Sequence, residues 1–298
     1  FKSIDEPTNV FDAIVIRNPL DVQCPLFWKL KPTRSIDEHV DYINRNGIKK
    51  VSVIANDISF ISRCPSITRV QLIAISSGEF DYSALYDLPE LEAIDFPTMP
   101  CEGITAKNTV NYSELKQLRY VKISGTAEGL RHVTGLKELH VDEIKKGCKD
   151  LSDLFSSKAM TTLTVTNCGI KSLNGIEEAE ALEILALSYD RALSDVGSIT
   201  SCASTLRTLS IINCPKITDF SFLNEFRNLE HLELMGNNEI SDLEFLKAMP
   251  KLKLLNLSMN VVSGDLTPCL SIPYVNLDKG RKHYNLKNTD LPKNLYNS

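Results

Sequence analysis

No stretch of the chain holds 18 or more consecutive apolar residues, which leaves no hydropathy signal for a membrane-spanning helix. Positive charge is not in surplus: 33 Lys and Arg stand against 38 Asp and Glu with the signs interspersed. That balance gives no basic footprint for DNA or RNA, so nucleic acid is not expected as a partner. The histidines His39, His132, His140, His231 and His283 are scattered, and no G-x-S-x-G, Gly-rich phosphate loop or H-E-x-x-H occurs. The usual signals of acyl transfer, phosphate binding and zinc proteolysis are therefore missing. Eight cysteines occur without a C-x-x-C and without His at zinc spacing. His140 between Glu138 and Asp142, and His231 beside Glu233, come nearest to a metal set, and they read as solvated surface groups. Neither enzymatic activity nor a metal or cofactor is expected.

What the chain does contain is repetition. In "LEHLELMGNNEISDLEFL" (229–246), Leu229, Leu232 and Leu234 would point in widely different directions on a helix at about 100° per residue. As a strand, Leu232 and Leu234 face one side with Glu233 between them, and "GNN" follows as a turn. The same L-x-x-L-x-L phrase begins at 160, 182, 206, 229 and 252, in steps of 22 to 24 residues. Looser copies start at Ile48, Ile67, Leu91, Leu118 and Leu136, and a last one at Ile272, making eleven units. A single strand of this size cannot bury its leucines, so successive units must stack and merge their apolar side chains into one core.

The pattern resembles the leucine-rich repeat family, L-x-x-L-x-L-x-x-N/C-x-L, closely over 160–260 and more loosely elsewhere. The unit is similar to the short type of SDS22-like proteins and bacterial internalins, as "ITDFSFLNEF" and "ISDLEFLKAM" show. Departures are the spacings of 18, 19 and 27 residues in the first half and the loss of Asn or Cys at Thr126 and Ile144. The resemblance implies an α/β, right-handed solenoid (horseshoe), with a parallel β-sheet on the concave face and short helices or irregular turns on the convex face. It also implies that Asn237, Cys168, Cys214 and Asn260 stand at strand exits, where an Asn bonds neighbouring loop backbones in a ladder. Asp219 and Asp242 are expected to accept backbone N–H bonds at the start of the next helical turn.

The ends need caps. Residues 1–47 form the amino-terminal one: "VFDAIVIRN" reads as a strand. Residues 35–47 read as a helix with Ser35 as N-cap, Glu38 closing a capping box, Gly47 as terminator, and Ile36, Val40 and Ile43 as its apolar stripe. Phe27 and Trp28 join this cap or are exposed in "PLFWKL" as a binding site. Repeats occupy 48–271, and 272–298 supply a terminal repeat and C-terminal cap with a basic rim at Arg281, Lys282, His283 and Tyr284. Cys168 and Cys214 at strand exits, and Cys64 and Cys269 in the slot of Met249, read as reduced core thiols, which favours a reducing, cytoplasmic setting. The chain starts at Phe1, so it is a processed or trimmed product, and secretion after signal removal stays open. "NYS" at Asn111 and "NLS" at Asn256 match the glycosylation sequon.

Residues between the leucines project from the sheet as a rigid array, so the expected function is recognition of a protein partner by a monomer. Ile184, Ile212, Met235, Leu254 and Tyr274 are apolar at outward positions. The expected binding patch is these five with His231, Glu233 and Asp278 on a polar rim. The earlier outward set, Asp95, Tyr120, Lys122, Glu138, His140 and Asp142, is polar enough for solvent to satisfy. Three readings compete: a bacterial intracellular immunity or regulatory protein, a secreted or cell-surface internalin-like adhesin, and the repeat domain of a larger effector enzyme.

Overall fold

The computed structural model describes residues 14–18, 35–55, 57–73, 78–79, 81–96, 106–107, 110–125, 127–144 and 148–293. Phe27, Trp28 and Thr126 lie outside them. The chain divides into two compact units, Phe1–Leu136 and Lys137–Ser298.

In the first unit, strands Ile14–Asn18, Lys50–Ala55, Arg69–Ile73, Ala93–Asp95 and Tyr120–Ser124 pair in parallel, each with the next. The helix Ile36–Asn46 enters through Ser35, whose side chain accepts from Glu38 N while the Glu38 carboxylate accepts from Ser35 N. It stops at Gly47, which adopts the left-handed conformation at φ +59°. Val40 and Ile43 are buried as expected, with His39 beside them. Asp95 departs from expectation. It is buried rather than solvated, because it ends a chain of hydrogen bonds along one row of the sheet: Ser52 Oγ donates to Gln71 Oε1 and Gln71 Nε2 donates to Asp95 Oδ2. Burial pushes its carboxyl above the usual range, against the pull of Gln71 and Lys122.

In the second unit, seven parallel strands follow in sequence: Glu138–Asp142, Thr162–Thr166, Ile184–Ser188, Thr208–Ile212, His231–Met235, Leu254–Leu257 and Tyr274–Leu277. Every one of the eleven repeat units supplies a strand. The inward residues are fully packed: Leu229, Leu232 and Leu234 are each 0% exposed. Between strands the chain returns through short 3-10 turns such as Ser221–Glu225 and Glu244–Ala248. An Asp or Asn two residues ahead holds the first free N–H of these turns. Asp219 Oδ1 accepts from Ser221 N at 2.8 Å and Asp242 Oδ1 from Glu244 N at 2.9 Å. Asp195 and Asp265 repeat the contact with Gly197 and Thr267. This is a leucine-rich-repeat solenoid with 3-10 rather than α-helical returns.

Cys168 and Cys214 occupy strand exits, where each thiol donates to a carbonyl of its own coil, Thr166 or Ile212, and lies within weak reach of Val141 or Leu187 in the coil before. Burial raises both thiols to about 11. Asn237 requires a correction. It is exposed, and the ladder bond comes from Asn238, whose Nδ2 donates to Cys214 O at 3.0 Å and Ile217 O at 2.7 Å. The cause is Gly236 at φ +138°, which breaks the regular exit so that its N–H meets Ser258 Oγ instead of a strand carbonyl. The ladder position thereby slips by one residue. Asn238→Ala is therefore expected to cost about 1–2 kcal/mol in denaturant unfolding by stranding two carbonyls, and Asn237→Ala no more than about 0.5. The reverse order would return the ladder to Asn237.

The other exits share a backbone feature. Glu143, Asn167, Tyr189 and Asn213 have φ between 52° and 59°. Their N–H groups donate to Thr166, Ser188, Ile212 and Met235 carbonyls, adding one rung to the ladder beyond each strand.

The carboxyl end is also more structural than a basic rim. Tyr284 Oη accepts from Val261 N at 3.0 Å, His283 Nε2 lies 2.9 Å from Val261 O, and Asn285 Oδ1 accepts from Leu266 N. Arg281 and Lys282 stay exposed.

Candidate recognition surface

Strand register in the second unit sorts the outward side chains into three rows. The first runs Ile184, Thr208, His231, Leu254, Tyr274; the middle row is Ala186, Ser210, Glu233, Asn256, Asn276. The third holds Ser188, Ile212 and Met235, continued past the strand ends by Ser258 and Asp278. The expected patch is thus divided. Ile184, His231, Leu254 and Tyr274 lie on one row and Ile212 and Met235 on another, about 13 Å away at about 3.3 Å per residue.

Between them the middle row is polar from Ser210 onward, and it is low at Ser210 and Asn256, as is Ser258 of the third row. Asn256 is 5% exposed, which leaves no room for a glycan on its sequon, and Ser210 and Ser258 are also buried rather than projecting. Glu233 stands higher and accepts from Ser210 Oγ at 2.7 Å. All five apolar candidates are half-buried, as is His231, whereas Asp278 is exposed. Burial holds the His231 imidazole below its ordinary value, with Glu230 opposing it and Lys253 adding to it. Tyr274 is partly occupied already: the Lys293 ammonium sits 5.6 Å from its ring centroid, within cation–π range.

Around the third row the surface dips. Tyr189, Ile212, Met235, Glu233, Ser258 and Lys279 are among the residues lining an open depression of about 360 Å³. Three of these, Tyr189, Ser258 and Lys279, were not among the sequence candidates. Tyr189 is 51% exposed and belongs to the left-handed exits; its place seven residues after Leu182 is the signal that marks it. Lys279 follows the last outward position on the rim. His140 and His231 do not meet: they belong to strands four places apart, His140 Nδ1 lies 3.0 Å from Thr164 Oγ1, and no metal-ligand group of three forms among the described residues.

The fold is shared with a solved structure. An internalin, InlF from Listeria monocytogenes, matches at a TM-score of 0.53 and 16% identity, covering 78% of this chain and 74% of that one. The toll-like receptor TLR13, solved with ssRNA13, matches at a TM-score of 0.43 and 19% identity, covering 81% of this chain and 34% of that one. No family model and no curated protein sequence matches the chain. The class defined by the fold is the leucine-rich-repeat protein. No helix among the described residues is long and apolar enough to cross a membrane.

Proposed function

We propose that the protein is a non-enzymatic recognition module that binds a protein partner through the outward sheet face between Thr162 and Asp278, as an immunity or regulatory protein of a bacterial cell. One observation carries the choice of surface. Across the three rows of those six strands Glu233 and Asp278 are the charged residues, no Lys or Arg occurs, and Ile184, Ile212, Met235 and Leu254 are apolar. Depletion of charge with retained apolar side chains is the composition of an interface core, where a solvated surface would hold Lys and Glu. A cytoplasmic setting is supported by Cys64, Cys168, Cys202, Cys214 and Cys269, which are free thiols buried in the core.

Met235→Asp tests the surface. Because Met235 is half-exposed, the variant's melting curve is expected to stay within about 0.5 kcal/mol of wild type. Once a partner is in hand, the variant's affinity for it is expected to fall by more than about 1 kcal/mol in a titration. Unchanged affinity would move the site away from this face. Tyr274→Ala is the poorer probe, since it also removes the seat of Lys293 in the carboxyl-terminal cap.

A further inference from the structure

Leu254 in the first row, Ile212 and Met235 in the third, and the carboxylate between them define what can cover this face. Glu233 lies in the middle row with Ser210 and Asn256 as its neutral neighbours across the sheet, and with His231 and Met235 on its own strand. Its hydrogen bond is to the Ser210 hydroxyl, and it forms no ion pair among the described residues. Any protein laid across Leu254 on one side and Ile212 with Met235 on the other removes this carboxylate from water. An unpaired buried carboxylate costs several kcal/mol, so a partner with nothing to offer it is rejected. Backbone and hydroxyl donors only partly offset that cost; an ammonium or guanidinium also meets the charge.

We propose that this face selects a basic partner segment: two apolar side chains about 13 Å apart, the span of residues i and i+4 in an extended strand at about 3.3 Å each, with a Lys or Arg between them facing Glu233. Asp278, at the end of the third row, adds a second negative charge on the same side. Lys279 stands on the rim of the depression, outside the three rows, and disfavours an approach of cations from that edge. The inference rests on the recognition surface proposed above and adds the chemistry of its ligand.

The test uses the Met235 methyl group as reporter, because Met160, Met249 and Met259 are buried in the core and do not face the surface. Carbon-13 methionine-methyl NMR of the whole chain, with Met235 assigned by Met235→Leu, is titrated with acetylated and amidated Leu-Ser-Lys-Ser-Leu, its Leu-Ser-Glu-Ser-Leu counterpart, and Leu-Ser-Gln-Ser-Leu. The lysine peptide is expected to bind saturably and about tenfold more tightly than the glutamate peptide, the equivalent of one charge-assisted contact, and Glu233→Gln is expected to abolish the difference. Equal affinities for the three peptides, or a preference that survives Glu233→Gln, overturn the basic-partner inference while leaving the recognition surface standing. No saturable Met235 shift with any peptide up to about 10 mM overturns the surface itself.

Discussion

Leu232→Ala is expected to lower the free energy of unfolding by about 2–5 kcal/mol, while Glu233→Ala, one residue further along the same strand, changes it by no more than about 0.5. Leu232 is 0% exposed and pairs in register with Leu209 and Leu255, so truncation leaves a cavity in a layer shared by three coils. A repeat core has no second layer to collapse into that space, which places the cost in the upper part of the range. Glu233 points to the other face and gives up a single hydrogen bond, to Ser210. Equal effects of the two variants in guanidinium melts would refute the alternation on which the outward rows depend.

The second large effect concerns Asp190. Its side chain is wholly buried at a strand exit, where Oδ1 accepts from Cys168 N at 2.7 Å and Gly169 N at 2.9 Å. Oδ2 is buried without a partner. Asp190→Ala is expected to cost about 2–4 kcal/mol by stranding these donors. The pH dependence has the opposite sense to that of most surface carboxylates. Burial raises the Asp190 carboxyl above its ordinary value, with Asp142 adding to the rise and the two amides opposing it. A folded-state value above the unfolded one means that the contribution is fully present below the unfolded value and is lost as pH rises through the folded value. Relative to Asp190→Asn, which keeps the acceptor and cannot ionise, wild type should therefore lose stability as pH rises from about 4 toward neutral. A difference that stays flat with pH, or grows in wild type's favour, would show that the carboxylate is charged at no cost.

These two sites mark what sequence can and cannot say. Leu232 was legible because stacking imposes one inward position on every coil, and the same constraint locates all eleven strands and the slot shared by Cys64, Met249 and Cys269. The helix at 36–46 was legible because Ser35, Glu38 and Gly47 carry its boundaries locally. Asp190 was not, since nothing in "LEILALSYD" shows that its carboxylate turns toward the amides of the coil before it. The slip from Asn237 to Asn238 depends on one backbone angle at Gly236. The separation of Leu254 from Ile212 and Met235 follows from their first and third places in the repeat phrase, and the strand register agrees with it. Tyr274 and His283 were placed in sequence but not in role, because the contacts of Lys293 and Val261 arise only when the carboxyl end folds back.

The left-handed exits bear on how such a surface is varied. Three residue types, at Glu143, Asn167, Tyr189 and Asn213, sit in one backbone conformation at equivalent points of successive coils, so the fold sets the direction of that side chain and leaves its identity open. For an L-residue other than glycine or asparagine the conformation costs about 1–2 kcal/mol, which means that a tyrosine at 189 is kept at the expense of stability. The exit column forms a fringe beside the proposed recognition face: its N–H rungs run through the main chain whatever the side chain, and among the four side chains Asn167 Nδ2 also donates to Glu143 Oε1 at 3.3 Å. On the proposed recognition face such a column would be varied one coil at a time, while the leucines that hold the coils together stay fixed.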